Sequence, residues 1–369
     1  MARLVALDLP LGPQLEAALR DAVASATAFC VVDPRLSPRG RERQLARFGA
    51  THVRDADGVS ARSGGVGVDA AVGLVALTSG SSGEPKAVEL SWDALAASAR
   101  LTSAALARTD PTSWFPCLPA THVGGAAVIL RAIFADARLV WGDVADPASG
   151  PAAGATHVAV VATQLARADL SGYRVVLLGG GRPPATRAAN VVATWGLTET
   201  GSGIVYDGVA LPEVDVAAVG GELVVRSPTL CRGYRDAPLA RATGPDGRDD
   251  WFPTGDGGEV VDGRVRVFGR LGFVITTGGE KVWPEDLESV LARVRGVRDV
   301  AVTGVPDAEW GERVVALIVD DGGTSDDDLR HAADESLGPW AKPKEIRRVA
   351  ALPRTGQGKL RRGDLSELY

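Results

Sequence analysis

The chain holds little that could build a cross-linked or metal-stapled scaffold. Its three cysteines, Cys30, Cys117 and Cys231, are widely spaced and form no Cys-x-x-Cys pair. That argues against a disulfide framework or a zinc site and fits a reducing, cytoplasmic location. The four histidines, His52, His122, His157 and His331, show no metal-ligand spacing. No apolar run approaches the roughly 20 residues a membrane helix requires, so no membrane span is expected. The first ten residues contain Asp8 and no long apolar core, so no signal peptide is expected. Positive charge is not in excess either: 40 Lys and Arg face 46 Asp and Glu, a net charge of −6. A nucleic-acid surface needs a basic stripe. The one arginine-rich stretch (Arg35, Arg39, Arg41, Arg43, Arg47) reads as a solvated helix face.

What remains is an ordinary globular composition, 45% hydrophobic and 23% charged. At 369 residues the chain exceeds one ordinary domain and can bury a sizeable core.

The most informative segment is Leu77-Thr78-Ser79-Gly80-Ser81-Ser82-Gly83-Glu84-Pro85-Lys86-Ala87, directly after the apolar run Val72–Leu77. A loop of this composition can turn backbone N–H groups inward, while four hydroxyls and one ammonium add donors for a polyanion. The Walker pattern G-x-x-x-x-G-K-[ST] is not met here. Nor is it met in Arg354-Thr355-Gly356-Gln357-Gly358-Lys359-Leu360, where leucine replaces the magnesium-binding hydroxyl. This is a phosphate loop of another kind.

Four further segments follow in order: Thr194-Trp195-Gly196-Leu197-Thr198-Glu199-Thr200-Gly201, Trp251-Phe252-Pro253-Thr254-Gly255-Asp256-Gly257-Gly258, Val267-Phe268-Gly269-Arg270-Leu271-Gly272, and Pro353–Leu360. Alone, each could be a turn or a surface loop. Together, and in this order, they resemble the motifs of the adenylate-forming superfamily, which unites acyl-CoA synthetases, peptide-synthetase adenylation domains and luciferases. The resemblance implies binding of ATP through Thr78, Ser79, Gly80, Ser81, Ser82, Gly83 and Lys86. It puts adenine against Gly179, Gly180, Trp195 and Gly196. Tryptophan stands where the family more often has tyrosine, which keeps stacking but not the hydroxyl's contacts. Thr198 would bond a phosphate oxygen, and Glu199 would hold Mg2+, since a carboxylate beside phosphate needs a hard cation between them. Asp256 would take the ribose hydroxyls, and Arg270 the ribose or phosphate. Lys281 is placed with the cofactor-binding residues. Lys359 would enter the site for adenylation. His122, in Leu118-Pro119-Ala120-Thr121-His122-Val123-Gly124-Gly125, resembles a family histidine that lies near the acyl carboxylate. Gly272 stands at the family's pivot, where aspartate or lysine is usual.

The chain pattern predicts an α/β fold. Helices are expected over 14–26 and from Ser91, as N-cap, to about Ala107. Another is expected over Val123–Phe134, and residues 55–67 read as a loop. Short β-branched runs (139–141, 157–161, 174–178, 190–194) alternating with helical stretches predict βα units and a largely parallel sheet. Gly179-Gly180-Gly181 follows one such strand, but Pro184 defeats a dinucleotide fingerprint. From Val214 the pattern turns to strands, with a hairpin over 259–267 around Asp262-Gly263. Beyond Arg270 comes a compact α+β unit with helices from Pro284 and over 326–337, and strands over 300–305, 314–319 and 345–349. The expected organisation is therefore a large N-terminal α/β domain, 1–270, shortened relative to the family, with mainly parallel sheets plus a β-rich section. A small mobile lid domain, 271–369, follows it.

The Gly278–Pro284 segment, the short N-terminal region and Leu178–Gly181 look like the o-succinylbenzoate–CoA ligases of menaquinone biosynthesis. That resemblance implies activation of a small carboxylic acid as acyl-AMP and its transfer to CoA. The substrate has two carboxylates, so a second anchor is required. Arg131 and Arg182 are candidates by position only. Other readings stay open: a CoA ligase for a different aromatic or aliphatic acid, a stand-alone adenylation protein loading a carrier protein, a non-catalytic nucleotide-binding relative, and self-association into a homo-oligomer.

Overall fold

A computed structural model describes residues 1–78, 85–106, 112–184, 186–354 and 360–368. Contacts divide these into two compact units, one of residues up to 216 with 225–252, the other of 217–224 with 253–368.

In the first unit, short apolar runs flanked by helices form a seven-stranded sheet. Its order is Gly233–Tyr234, Ala87–Ser91, Val72–Leu77, Ala28–Val31, Leu4–Leu7, His52–Asp55, Gly58–Ala61. Leu4–Leu7 is buried along its whole length and pairs in parallel with both neighbours. That is the signature of a strand covered on both faces. Leu45 and Phe48 of the helix Pro38–Phe48 pack into the same cluster as Leu4, Ala6 and Cys30. The N-terminal helix is Pro13–Ala24.

The expectation of a loop over 55–67 is corrected. Gly58–Ala61 is an exposed edge strand, paired antiparallel with His52–Asp55. Its small and polar residues carry no buried face, so period-2 alternation is missing.

A second sheet in this unit runs Val209–Ala210, Gly203–Tyr206, Val191–Gly196, Val175–Gly179, His157–Val161, Ser113–Phe115, Arg138–Leu139. It is parallel from Val191–Gly196 to Arg138–Leu139. The βα rhythm is weaker than expected here. Between His157–Val161 and Val175–Gly179 the only helix is the one-turn Ala162–Leu165. Helices Trp92–Leu106 and Val123–Phe134 pack against each other, and Ser91 Oγ accepts the Ala94 N–H at 3.1 Å, the cap read from sequence.

In the second unit, Phe252–Val261 pairs antiparallel with Arg264–Arg270. The turn between them has positive φ at both Asp262 and Gly263, the geometry of a type I′ hairpin. This hairpin clusters with the residues beyond Arg270. The remaining sheet orders Glu280–Val282, Ile275–Thr277, Gly311–Asp320 and Val297–Asp307, with Glu345–Arg348 parallel to Gly311–Asp320. Helices Pro284–Leu291 and Asp326–Leu337 cover one face through Leu287, Leu291, Leu329 and Ala333. Leu352 and Leu365 pack on the other. The architecture is the α/β class expected, with a larger N-terminal part and a smaller α+β C-terminal part. Among the described residues no helix is long and apolar enough to cross a membrane.

Candidate active site

The two strands flanking the loop read from sequence as phosphate-binding are antiparallel neighbours. Leu77 and Ala87 are register partners in adjacent antiparallel strands. Thr78 N–H donates to the Lys86 carbonyl at 2.9 Å, and Lys86 N–H donates to Thr78 Oγ1 at 3.0 Å. These bonds fix Lys86 at the mouth of the loop, with its side chain exposed. Ser79, Gly80, Ser81, Ser82 and Gly83 lie outside the described residues, as does Lys359.

Strand Gly233–Tyr234 pairs with Ala87–Ser91 and sets Tyr234 opposite Val88. The Lys86 ammonium then sits 5.2 Å from the Tyr234 ring centroid, within cation–π range. The Tyr234 hydroxyl donates to Glu199 Oε1 at 2.9 Å. Glu199 belongs to the 3-10 turn Thr198–Thr200. Thr200, fully buried, pins that turn by accepting the Leu197 N–H at 2.8 Å and donating to the Ser202 carbonyl at 2.7 Å. The Glu199 carbonyl accepts the Cys231 N–H at 2.7 Å. Thr78, Lys86, Tyr234 and Glu199 thus form one connected group: a loop base, a cation, a phenol and a carboxylate. An oxygen-donor carboxylate of this kind suits a hard divalent cation.

Burial pushes the Cys231 thiol up to about 12, with the Glu199 charge adding to the rise, so the sulfur beside this group is a protonated thiol rather than a nucleophile.

Gly179 ends the parallel strand Val175–Gly179 and Gly180 follows it, and Trp195 and Gly196 end its neighbour Val191–Gly196. All four therefore lie at the carboxyl ends of adjacent parallel strands, where α/β sheets bind ligands. The strand bulges between Trp195 and Gly196, and a Cβ on Gly196 would fall 2.2 Å from the Ser202 carbonyl. Only glycine fits there.

His122 precedes helix Val123–Phe134 without capping it through its side chain. Arg131, on that helix, is 2% exposed and lies 4.7 Å from the Trp114 ring. Its Nε and Nη1 have no hydrogen-bond partner among the described residues. Burial pushes its ionisation down. A buried guanidinium with open donors is costly unless a ligand completes it. Arg182, the other candidate anchor, is exposed.

In the second unit, Asp256 and Arg270 are register partners across the hairpin, with Arg270 Nε 2.9 Å from Asp256 Oδ1. Arg270 Nη1 also donates to the Thr254 carbonyl at 2.9 Å. Asp256 is buried on the strand, not in a turn, and its N–H donates to Thr254 Oγ1 at 3.1 Å. Lys281 is exposed on Glu280–Val282.

Tyr234 is the site residue that sequence reasoning missed. Its partners lie far away along the chain, and the Gly233–Tyr234 pairing helps to bring them together.

A family model described as AMP-binding enzyme matches residues 70–235, and one described as AMP-binding enzyme C-terminal domain matches residues 286–359. A probable 2-succinylbenzoate–CoA ligase of Mycobacterium tuberculosis is 36% identical over 330 residues, 81% of this chain and 85% of that protein. An o-succinylbenzoate CoA synthetase from Bacillus subtilis, solved with the acyl-adenylate intermediate OSB-AMP, superposes with a TM-score of 0.83 at 23% identity, covering 98% of this chain and 88% of that one. The same enzyme solved with ATP and magnesium gives 0.84 at 22%, covering 99% and 89%. At those identities the structural likeness concerns the fold. With the sequence relationship beside it, the chain belongs to the AMP-binding, adenylate-forming enzyme family.

Proposed function

We propose that this protein is an ATP-dependent acid–CoA ligase that converts o-succinylbenzoate to o-succinylbenzoyl-CoA for menaquinone biosynthesis. The reading rests first on the connected group of Thr78, Lys86, Tyr234 and Glu199, which offers a phosphate-binding loop, a cation and a carboxylate for a metal ion. The kinship with 2-succinylbenzoate–CoA ligases supports the choice of acid.

A carboxylate is a poor electrophile. Activation replaces its oxide leaving group: the carboxylate attacks the α-phosphate of ATP, and pyrophosphate departs. Positioning and charge neutralisation carry such a step. The hydroxyls and N–H groups of residues 78–83, with Lys86, would hold the polyphosphate, and Thr198 would donate to a phosphate oxygen. Glu199 would hold Mg2+, which when bound neutralises developing phosphate charge. Trp195 and Gly196 would face adenine together with Gly179 and Gly180. Asp256 would accept from the ribose hydroxyls, with Arg270 beside it, and Lys281 is assigned to nucleotide binding. His122 would lie near the acyl carboxylate. Lys359 would supply a further positive charge during adenylation. The CoA thiolate then attacks the mixed anhydride and releases AMP. We assign the pivot between the two steps to Gly272, with a lid beyond Arg270, and we place the enzyme in the cytoplasm.

Arg131 supports a two-carboxylate substrate. Its Nε and Nη1, without partners among the described residues, leave two charged donors for an anion. We assign it the second carboxylate in preference to exposed Arg182.

The test is pyrophosphate release over aromatic, aliphatic and dicarboxylic acids, with and without CoA. o-Succinylbenzoate should give AMP and a CoA thioester, while benzoate and medium-chain fatty acids should be much poorer. Faster turnover of a simple monocarboxylate overturns the choice of acid. Thioester formation on a carrier protein but not on free CoA overturns the choice of thiol.

A further inference from the structure

A second ionic cluster is partly buried within the C-terminal unit. Arg362 is 12% exposed and reaches two carboxylates on one helix, Glu285 and Glu288. Their spacing of three residues on Pro284–Leu291 puts both on one helix face. Arg362 Nη1 and Nη2 donate to Glu288 Oε1 and Oε2 at 3.0 and 2.8 Å, a two-pronged fork. Nη2 also lies 3.1 Å from Glu285 Oε1, and Nη1 donates to the Val302 carbonyl at 3.1 Å. Glu288 Oε1 additionally accepts the Val302 N–H at 2.8 Å.

The cluster touches the segment assigned as the pivot. The Arg362 guanidinium lies 5.6 Å from the Phe273 ring centroid, and Phe273 closes the 3-10 turn Leu271–Phe273. Glu285 lies against Gly269, where an added Cβ would fall 2.3 Å from Oε2. Gly269 immediately precedes Arg270. Glu285 Oε2 is buried without a partner among the described residues. In sequence, Arg362 follows Lys359 by three residues, a chain reach of roughly 10 Å at most.

We propose that Arg362 is a positioning residue for adenylation: together with Glu285, Glu288 and Phe273 it ties the pivot turn to the 3-10 turn Arg362–Leu368, which follows Lys359 in sequence. The proposal deepens the ligase reading and rests on it. A cation serving a transition state must be held to within a fraction of an ångström, and a misplacement of about 1 Å costs on the order of 100-fold. Three residues of chain cannot hold a lysine that closely unless the chain beyond them is fixed. Arginine suits the task because its planar fork fixes direction as well as charge, which a lysine in its place cannot do. Burial pushes Glu288 upward while the Arg362 charge pulls it back, so removing that charge outright threatens folding. The conservative Arg362→Lys is therefore the principal variant, with Glu285→Gln as a gentler second.

The experiment compares full-length wild type, Arg362→Lys, Glu285→Gln, Lys359→Ala and the double variant Arg362→Lys/Lys359→Ala. It reads pyrophosphate release, thioester formation from a synthetic acyl-adenylate, and hydrogen exchange of the 271–273 turn. Arg362→Lys should lower kcat for adenylation by about 10- to 100-fold, leave KM for ATP unchanged and spare the thioester step. Glu285→Gln should act in the same direction and less. The double variant should adenylate no more slowly than Lys359→Ala alone, because Arg362 acts through that lysine. Exchange at 271–273 should rise in Arg362→Lys. Equal loss of both half-reactions, multiplicative loss in the double variant, or unchanged exchange at 271–273 overturns the proposal. A wild type that releases no pyrophosphate with any acid overturns the ligase reading instead, and the exchange measurement still decides whether Arg362 holds the turn.

Discussion

The Tyr234 hydroxyl donates to Glu199 Oε1 at 2.9 Å, while the same ring lies 5.2 Å below the Lys86 ammonium. One phenol therefore touches both the carboxylate assigned to magnesium and the cation assigned to phosphate. Partners that orient a metal ligand commonly contribute 10- to 100-fold to metal affinity or activity.

Tyr234→Phe keeps the ring beneath Lys86 and removes the donor to Glu199. We expect the Mg2+ concentration for half-maximal pyrophosphate release to rise by about 10-fold. Glu199→Gln should depress adenylation far more than binding of a preformed acyl-adenylate, which carries no pyrophosphate. A Mg2+ titration identical to wild type in Tyr234→Phe, or equal losses in both Glu199→Gln assays, removes the metal assignment.

Arg131→Met should move two observables in opposite directions. Loss of a charged hydrogen bond worth about 2 kcal/mol raises KM for the dicarboxylate roughly 30-fold, with little change for a monocarboxylate. The substrate-free protein should become more stable, because a buried charge incompletely partnered among the described residues is replaced by an apolar chain of similar length. Thermal unfolding and initial rates check both. A destabilised variant with an unchanged KM contradicts the anchor.

Asp256→Asn keeps the shape of the carboxylate but not its charge. If Asp256 binds the ribose hydroxyls, wild type should discriminate against 2′-deoxy-ATP, and the variant should lose most of that discrimination. The expected loss is about 1.5 to 3 kcal/mol in kcat/KM for ATP. Undiminished discrimination assigns the ribose elsewhere.

His157 gives a pH signature. It is 1% exposed, and its Nδ1 lies 2.8 Å from Thr156 Oγ1. Burial pushes its ionisation down, the Leu106 carbonyl opposes this, and the Arg131 and Arg174 charges add to the fall. A group that titrates lower in the folded than in the unfolded state binds fewer protons when folded. Its contribution is present above the unfolded value of about 6.5 and is lost as pH falls below it. Urea unfolding should show stability dropping from pH 7 towards 5, and His157→Gln should flatten that limb. An unchanged slope places the acid sensitivity in other residues.

The turns and strand ends that carry the candidate motifs were legible because each is continuous in sequence. Thr78 and Lys86 close one hairpin, and Trp195 and Gly196 end one strand. The helices over 123–134 and 326–337 were legible for the same local reason. Gly58–Ala61 was not, since an exposed edge strand has no buried face to alternate with. The surroundings of Arg131 and the partner of Glu199 were not legible either. Glu199 meets Tyr234 through a sheet pairing, and Arg131 meets Trp114 through a helix packed on a strand, and neither kind of contact leaves a periodicity in the sequence.

Pairing of Gly233–Tyr234 with Ala87–Ser91 also sets an order of events on the ribosome. Until residue 234 emerges, Ala87–Ser91 is an open sheet edge, its hydrogen-bonding groups available to any passing strand. The C-terminal unit is made last, yet its central hairpin, Val297–Asp307 with Gly311–Asp320, joins neighbours in sequence and can close at once. The Lys86–Tyr234–Glu199 group, by contrast, waits for most of the first unit to be synthesised. Nascent chains stalled before Tyr234 are thus the ones most in need of a chaperone.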